Sequence, residues 1–585
     1  MPDTLTLKLA HINDTHSHFE PSRIQFTLNH QHEPQPIYVH TGGCARIKAQ
    51  LDKARNQAEQ SGQEFIFLHG GDSFQGTLYF REFQGEANAT LLNQLQPVAM
   101  VLGNHEIDGG NGPVREFLDR INFPLLAGNM DLTAEPDSAM ALKGHKNLKY
   151  FQPEDQCADV IIREYQGTQV AIFGITLDMM RDIARPDPGT EFINAQQVTQ
   201  NTMAKLHQQG IVHIIVLSHL GLPADKMLAE QVDGISLIVG GHSHTLQGDF
   251  SALGLSNIPY GAMVNGTPIV HAGKYSETLG LADITFDHLG RVTHLTGNNY
   301  FMLSREFSRK NGQPFSQSEH EAIVKQLQQQ NGILWDDEDA TIAQLIQTRY
   351  RPSIDALENQ IIALVPNELV HSRLPSKLLP NGSQLAPWVG RAMYKAAKQQ
   401  DNRIDFALHN AGGVRQSLSS GALSMADVLG RMLPFELPLV TYQIRGRFLY
   451  EVLESAINAA TNNSVVGTGT GSFPYTYGLR YSYDGRKPIG QRITKLEVMQ
   501  QKQWRPLQPD SLYTGVSTTY TAAGKEGYQP LLQMEWSQIM SCTTLPGAFA
   551  HFVTDADAWQ EPLPPNVHYT SHMTTTEPTA QLTEK

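Results

Sequence analysis

Short runs of apolar residues alternate with longer polar or amphipathic segments along the first half of the chain. Runs of this length that are rich in β-branched residues predict buried strands. Because long connections separate the runs, the pattern favours a layered α/β domain. The predicted strands are Leu5–Ile12, Phe65–His69, Val98–Leu102, Leu125–Ala127, Val170–Ile175, His213–Leu217, Leu237–Val239 and Ile269–His271.

The pattern changes after about residue 318, where helix-forming residues replace the short apolar runs. We interpret 1–318 as the first domain, 319–361 as a helical connector and 362–553 as a second, smaller α/β domain. Residues 554–585 are rich in Thr, Pro and Glu and lack an apolar period, so we predict a disordered tail there. The elements predicted in the second domain are helices Ala386–Lys398 and Phe448–Asn458 and strands Ile404–Leu408 and Leu439–Ile444.

The composition is that of an ordinary globular protein. The chain has 585 residues, 40% of them hydrophobic and 17% charged, which excludes a coiled coil and wholesale disorder. The net charge of −14 argues against binding to a nucleic acid polymer. The three cysteines, Cys44, Cys157 and Cys542, form no CxxC pair, so thiolate metal chemistry is not expected.

The sequence also bears on location. No stretch approaches the roughly 18 apolar residues of a membrane helix, and the start lacks a basic region of the kind that opens a signal peptide. We therefore expect a monomer without a membrane partner in the cytoplasm, with a periplasmic or extracellular location as the alternative.

Metal-ligating residue types follow five of the predicted strands. Loops at the carboxyl ends of strands in an α/β sheet gather at one edge, so these residues are expected to converge. The segments are Asn13-Asp14-Thr15-His16, Gly70-Gly71-Asp72, Gly103-Asn104-His105-Glu106, Ser218-His219 and Gly240-Gly241-His242-Ser243-His244.

The residue types in these segments suit divalent metals. Carboxylates, an amide oxygen and imidazoles without thiolates favour Zn²⁺, Mn²⁺, Co²⁺ or Fe²⁺. Two such ions about 3.5–4 Å apart can position a bridging hydroxide and neutralise phosphoryl oxygens, which predicts hydrolysis of a phosphate ester. The candidate ligands are Asp14, His16, Asp72, Asn104, His219, His242 and His244.

The order of these motifs, including Gly70 to Gly76 and Gly103 to Asp108, resembles the calcineurin-like metallophosphoesterases. From roughly Leu9 to Tyr528 the chain is similar to the 5′-nucleotidase family, which includes UDP-sugar hydrolases and 2′,3′-cyclic nucleotide phosphodiesterases. The resemblance implies a four-layer β-sandwich flanked by helices, a helical connector and a smaller α/β substrate-binding domain.

The resemblance also implies roles for the first-domain residues. One metal (Zn, Mn or Co) would bind Asp14, His16, Asp72 and His244, and the other would bind Asp72, Asn104, His219 and His242. Asp72 is then the bridge, and His244 stands where the family commonly has Gln or Asn. His105 would stabilise the transition state and Asp108 would orient it.

The second domain offers groups that select a nucleotide. In Asn410-Ala411-Gly412-Gly413-Val414-Arg415 the glycines allow close backbone approach, and the Arg415 guanidinium can hold a phosphate. The resemblance implies that Asn410 and Arg415 contact phosphate or adjacent oxygens, and that Phe435 and Tyr520 stack on the base. It also implies that Glu526 replaces an Asp that binds ribose, and that Arg373 or Lys377 supplies an upstream phosphate contact.

The implied function is hydrolysis of nucleoside 5′-monophosphates by attack of a metal-bridged hydroxide on phosphorus, with UDP-sugars as further substrates. The alternatives are a 2′,3′-cyclic nucleotide phosphodiesterase with 3′-nucleotidase activity and a catalytically silent nucleotide-binding protein. His16-Ser17-His18 also fits the start of a TIM-barrel amidohydrolase, but that hypothesis leaves the segment 103–106 and the second domain unexplained.

Overall fold

The computed structural model describes residues 4–30 and 33–573 and divides into two compact units after Ser353. Both units mix helices and sheets, as predicted. Among the described residues, no helix is both long and apolar enough to span a bilayer.

The first unit is built on two large sheets. The strands of the first sheet, in spatial order, are Ser22–His30, Glu33–Thr41, Val292–Ser308, Thr278–Asp287, Thr4–Ile12, Glu64–His69, Ala99–Val101, Leu125–Ala127, Leu148–Gln152 and Cys157–Ala158, with Ile333–Trp335 paired beside Val292–Ser308. The strands of the second sheet are Ile161–Tyr165, Thr168–Thr176, His213–His219, Leu237–Val239, Thr267–Val270 and Ala262–Val264.

Apolar side chains from the two sheets form one core. Leu9 and Leu68 of the first sheet and Ile172 and Leu217 of the second belong to a single buried cluster. Burial of each such side chain contributes about 1.5–3 kcal/mol, so this shared layer holds the two sheets together.

Helices cover the outer faces of this sandwich. Cys44–Ser61 contacts the strands Thr4–Ile12 and Glu64–His69 of the first sheet. Ala195–Gln208 and Leu222–Gln231 pack against the second sheet through a further apolar cluster. The helix–sheet–sheet–helix order is the predicted four-layer arrangement. The other helices of this unit are Leu78–Phe83, Glu86–Leu95, Asn111–Arg120, Met180–Ile183, Gln317–Leu327 and Ala340–Leu345, with Arg351–Asn359 at the boundary.

All eight strands predicted in the first half are present, with ends displaced by at most two residues. The long antiparallel strands, such as Glu33–Thr41 and Val292–Ser308, were not predicted. Exposed and buried positions are mixed along both strands, so their sequences lack the continuous apolar runs from which strands were predicted.

The predicted connector is helical only in part. Ile333–Trp335 forms a strand that pairs in parallel with Phe301–Leu303, so this stretch adds to the first sheet. The β-branched and aromatic side chains at these positions favour that pairing.

The second unit contains a five-stranded sheet, a four-stranded sheet and a strand pair. The five strands, in spatial order, are Pro474–Tyr477, Phe406–Asn410, Leu512–Thr518, Pro438–Arg445 and Trp536–Thr544. The others are Gln503–Pro506, Ile493–Gln500, Leu479–Asp484 and Val567–Thr570, and the pair Ile361–Val365 with Gly421–Ser424. The helices are Ala386–Gln400, Gly446–Thr461, Thr519–Ala522 and Leu545–Val553.

Part of the predicted disordered tail is ordered. Val567–Thr570 pairs in parallel with Tyr481–Asp484, and Val567 is buried. This strand is short and flanked by Thr and Pro. The local sequence therefore gives no strand signal, and tertiary contacts determine the pairing. The rest of the tail, 574–585, lies outside the described residues.

Candidate functional site

The two sheets of the first unit bring their strand ends to one place. Thr4–Ile12, Glu64–His69 and Ala99–Val101 are mutually parallel neighbours, and so are Thr168–Thr176, His213–His219 and Leu237–Val239. Each sheet therefore presents several carboxyl ends along one edge. Six of the seven predicted ligands lie in the loops at these ends, and His219 is the last residue of its strand.

The ligand atoms form three overlapping groups, in each of which all atoms lie within 4.8 Å of one another. The groups are Asp14, His16 and His244; His16, Asp72 and His105; and Asp72, His219 and His242. The first and third groups each contain three of the four ligands predicted for one metal site, and the middle group, which includes Asp72, shares one residue with each of them. Asn104 lies beside the third group, because its Oδ1 is 3.0 Å from His242 Nδ1.

The backbone is strained at these positions. Asp14, His16, Asp72, His242 and His244 all have positive φ, between 46° and 72°. Left-handed backbone at a residue other than glycine costs on the order of 1–3 kcal/mol and persists where surrounding contacts enforce it. Strain at five of the seven predicted ligands indicates that the fold holds these side chains in one arrangement.

Hydrogen bonds fix the tautomer of two histidines. His16 Nδ1 donates to the Phe74 carbonyl at 3.1 Å, and His219 Nδ1 donates to the Gly70 carbonyl at 2.8 Å. In the neutral ring, each Nε2 therefore carries a lone pair. His219 Nε2 is buried without a hydrogen-bond partner and lies 3.2 Å from Asp72 Oδ2, so the two atoms could bind one divalent cation.

The electrostatics of the site favour positive charge. Burial raises the pKa of Asp14 to about 8. Burial acts the same way on Asp72, but His219 and His105 hold its pKa well below the usual range. Burial by itself would lower the pKa of His219, but the negative charge of Asp72 outweighs burial and raises that pKa to about 10. Either a proton or a metal cation between Asp72 and His219 would balance the negative charge of the carboxylate.

The remaining imidazoles favour the neutral form that binds metals. Burial lowers the pKa of His16, His242 and His244 to about 4 in each case. His16 Nε2 and His244 Nε2 lie 3.0 Å apart, and both are within 4.0 Å of Asp14 Oδ1. Two imidazole nitrogens directed at one carboxylate fit a shared cation.

His105 and Asp108 form the predicted pair. His105 Nδ1 donates to Asp108 Oδ2 at 2.5 Å. Burial lowers the pKa of His105, but the carboxylates of Asp72 and Asp108 outweigh it and raise that pKa to about 9. These two carboxylates favour the protonated ring, in which Nε2 is the N–H that Asp108 does not engage.

Glu106 is a site residue to which the sequence analysis gave no role. Its buried carboxylate accepts the backbone N–H groups of Asp72, Ser73, Phe74 and Gly103 at 2.6–3.0 Å. The side chain thereby joins the Asp72 loop to the loop that carries Asn104 and His105. Its place beside Asn104 in the sequence was the available signal.

We expect Glu106→Gln to destabilise the first unit by about 2–4 kcal/mol, because the amide nitrogen would face backbone donors in a buried site. Urea unfolding followed by tryptophan fluorescence measures the change. Glu116→Gln, at an exposed position of the helix Asn111–Arg120, is the matched control and should unfold like the parent chain. Equal unfolding of both variants would contradict the role given to Glu106.

In the second unit, the sheet gathers the predicted substrate residues at one edge. Phe406–Asn410 and Leu512–Thr518 are parallel, and Pro438–Arg445 is antiparallel to the latter. Asn410 therefore ends one strand, Tyr520 follows the next, and Phe435 precedes the third at the same edge.

Contacts connect these residues to one another. Arg415 lies over the Phe435 ring at 5.8 Å, and Thr521 donates to the Asn410 side-chain oxygen at 3.4 Å. Burial raises the pKa of Glu526, while a hydrogen bond from Tyr520 and the charge of Arg373 act in the opposite direction. The charge of Arg373, the first of the two upstream candidates, therefore acts within this cluster.

Comparisons with known proteins match two parts of the chain to two families. The calcineurin-like phosphoesterase family matches residues 7–246, and the 5′-nucleotidase C-terminal domain matches residues 378–533. A probable 5′-nucleotidase of Treponema pallidum is 28% identical over 547 residues, which cover 90% of this chain and 87% of the relative.

Two further relatives extend the likeness to nearly the whole chain. An NAD 5′-nucleotidase of Haemophilus influenzae is 30% identical, with coverage of 89% of this chain and 85% of the relative. The crystal structure of a 5′-nucleotidase precursor from Thermus thermophilus has a TM-score of 0.68 at 28% identity, and covers 98% of this chain and 100% of that chain.

These matches confirm the predicted fold class and the predicted enzyme class, a hydrolase that acts on phosphoester bonds. The metallophosphoesterase match also implies divalent metal ions, which the buried Asp and His groups fit. The chain belongs to the 5′-nucleotidase family.

Proposed function

We propose that the protein holds two divalent cations, Zn²⁺, Mn²⁺ or Co²⁺, and releases phosphate from nucleoside 5′-monophosphates. The observation that carries the proposal is the overlap of the ligand groups, which share His16 and Asp72 and so provide two adjoining sites. The relatives named 5′-nucleotidase support the choice of substrate class.

In this proposal Asp14, His16 and His244 hold one cation, Asn104, His219 and His242 hold the other, and Asp72 contacts both. When bound, the cations supply an activated water nucleophile and positive charge for the phosphoryl oxygens. The chain itself supplies rigid ligands, because the strained loops and Glu106 keep the donor atoms in place.

His105 acts on the phosphoryl group in the proposed mechanism. Its ring lies edge-on to His16 with centroids 5.1 Å apart, and its Nδ1 is engaged by Asp108. The protonated Nε2 is therefore the group available to donate to a phosphoryl oxygen as negative charge develops there. Asp108 fixes the ring orientation and stabilises the imidazolium.

Nucleotide selection belongs to the second unit. Arg415 and Asn410 would bind phosphate or adjacent oxygens, Glu526 the ribose hydroxyls, and Phe435 and Tyr520 the faces of the base. Stacking is available to every base because each has a π face, so we expect activity on purine and pyrimidine nucleotides alike.

A panel of AMP, UMP, 3′-AMP and 2′,3′-cyclic AMP, assayed for phosphate release with added Mn²⁺, tests the proposed function. We expect kcat/KM for the two 5′-nucleotides to exceed the other values by tenfold or more. A preference for the cyclic or 3′-nucleotide would instead favour the cyclic phosphodiesterase, and a metal-loaded but inactive protein would favour the silent nucleotide binder.

Tyr520→Ala should raise KM for AMP and UMP about 5- to 150-fold with little change in kcat, which corresponds to a stacking contribution of about 1–3 kcal/mol. Steady-state kinetics measure both constants. Tyr520→Phe keeps the ring and should retain a KM near that of the parent. A fall in kcat without a change in KM would place Tyr520 outside base recognition.

A further inference from the structure

A buried carboxylate lies beside the predicted metal ligands without being one of them. Asp225, in the helix Leu222–Gln231, is fully buried and belongs to none of the three ligand groups. A buried charge is costly unless it is hydrogen-bonded, so the partners of Asp225 indicate what it holds in place. Two fully buried side chains donate to it, Ser218 Oγ to Oδ1 and His271 Nε2 to Oδ2, the latter at 2.7 Å.

The surroundings of His271 fix its tautomer. Its Nδ1 is buried and has no hydrogen-bond partner among the described residues, whereas its Nε2 faces Asp225 Oδ2. In the neutral ring the proton therefore lies on Nε2, because a buried N–H without an acceptor is destabilising. Asp225 thus accepts hydrogen bonds from a hydroxyl and an imidazole, which hold the carboxylate in one orientation.

Ser218 connects Asp225 to the predicted ligand His219. It directly precedes that ligand in the strand His213–His219, and its Oγ also accepts the Leu220 N–H at 3.2 Å. The backbone on both sides of His219 is therefore tied, through Ser218, to the Asp225 carboxylate.

The turn that carries His242 packs directly on the Asp225–His271 pair. A Cβ at Gly240 would lie 2.4 Å from Asp225 Oδ2 and 2.2 Å from His271 Nε2, so this approach requires glycine. The Gly240 N–H also donates to the Val270 carbonyl, next to His271, at 2.9 Å. The pair therefore forms the surface on which this turn rests, two residues before His242.

His271 extends the connection to Asp14, which follows a strand of the other sheet. The next residue, Ala272, donates its N–H to Asn13 Oδ1 at 2.7 Å, and Asn13 Nδ2 donates to Asp14 Oδ2 at 2.6 Å. Hydrogen bonds and the peptide bond between His271 and Ala272 therefore connect Asp225 to Asp14.

These contacts reach ligands of both proposed cations. His219 and His242 belong to one cation site, and Asp14 belongs to the other. The proposed hydrolysis gives Asp225 no part in binding or in proton transfer. Removal of a group that holds metal ligands in place typically costs roughly 10- to 100-fold in metal affinity or activity.

We propose that Asp225 is a positioning residue that sets the spacing of the metal ligands. The inference rests on the proposed function, since His219, His242 and Asp14 are ligands only in that proposal. A residue that served the fold alone would contribute to stability without changing the affinity for the cations.

The test measures Mn²⁺ affinity by titration of the metal-stripped full chain. Ser218→Ala removes the hydroxyl donor, and Asp225→Ala removes the carboxylate. Ser236→Ala is the matched control, because Ser236 is also buried, accepts the Ile214 N–H at 2.9 Å and lies at the opposite end of the same sheet. We expect Kd for Mn²⁺ to rise tenfold or more in the first two variants and less than about twofold in the control. At saturating Mn²⁺, kcat for AMP should fall in the first two variants while KM changes less than about threefold.

Asp225→Asn separates position from charge. The amide oxygen can accept from Ser218, and the amide nitrogen can donate to His271 Nε2 once the ring proton moves to Nδ1. This change costs stability, because Nδ1 has no acceptor, but it keeps the spacing. We expect Kd and kcat within about threefold of the parent values. A loss as large as that in Asp225→Ala would show that charge matters rather than position, and would overturn the inference.

Urea unfolding of each variant distinguishes the fold from the site. If Asp225→Ala does not fold, the comparison of Ser218→Ala with Ser236→Ala decides the inference. Equal Kd values in these two variants would overturn it, even if both are less stable than the parent.

The outcomes also separate the inference from the proposed function. A parent chain that binds Mn²⁺ but releases no phosphate from AMP would remove the proposed activity alone, because the Kd values still decide the role of Asp225. A parent chain that binds no Mn²⁺ would overturn both.

Discussion

Asp72→Asn should lower kcat for AMP on the order of a thousandfold, with the fold intact. Asp72 is 2% exposed and belongs to two of the three ligand groups, in which it lies 3.2 Å from His219 Nε2 and 4.0 Å from His16 Nε2. The amide has nearly the same shape but lacks the negative charge that the shared position requires. Losses of this size follow the removal of single groups that stabilise charge in the transition state.

Phosphate release and bound Mn²⁺ should both fall in the Asp72→Asn protein, while thermal unfolding shows a folded chain. The matched control is Asp137→Asn, an exposed aspartate of the first unit, which should keep full activity. An Asp72→Asn protein with parental kcat would contradict the assignment of Asp72 as the shared ligand.

His105→Ala should lower kcat by about 10²–10⁴-fold, the usual contribution of a positioned general acid, and leave the bound metal unchanged. The reason is geometric as well as electrostatic. Its Nδ1 is held by Asp108, its pKa is raised to about 9, and no other imidazole of the cluster has a carboxylate at Nδ1 in the described part of the chain. Steady-state kinetics together with elemental analysis of the purified variant measure both quantities.

Asp108→Asn separates orientation from proton donation. The amide can still accept the Nδ1 proton but does not stabilise the imidazolium, so we expect a smaller loss of kcat than in His105→Ala. Loss of metal from His105→Ala would instead identify His105 as a ligand, as its place in the middle group with His16 and Asp72 would allow.

The short apolar runs predicted much of the fold. Because loops at the carboxyl ends of parallel strands gather at one edge, the polar residues after these runs were also predicted to converge. This worked because the strands that carry Asp14, Asp72, Asn104, His219 and His242 are parallel and buried on both faces, so their sequences are short apolar runs with polar ends. The ligand roles of these residues stay predictions.

Other features depend on tertiary contacts that leave little trace in the sequence. Glu106 acts through four backbone N–H groups of two separate loops. The strand Val567–Thr570 is stabilised by parallel pairing with the strand Leu479–Asp484. Residue type alone does not distinguish such positions from ordinary loop residues.

The most direct test of the central claim is phosphate release from AMP by metal-stripped protein as Mn²⁺ is added back. The proposed two-cation site predicts a rate near zero after chelation and a plateau at about two Mn²⁺ per chain. Full activity in the presence of chelator, or no phosphate release at any Mn²⁺ content, would contradict it.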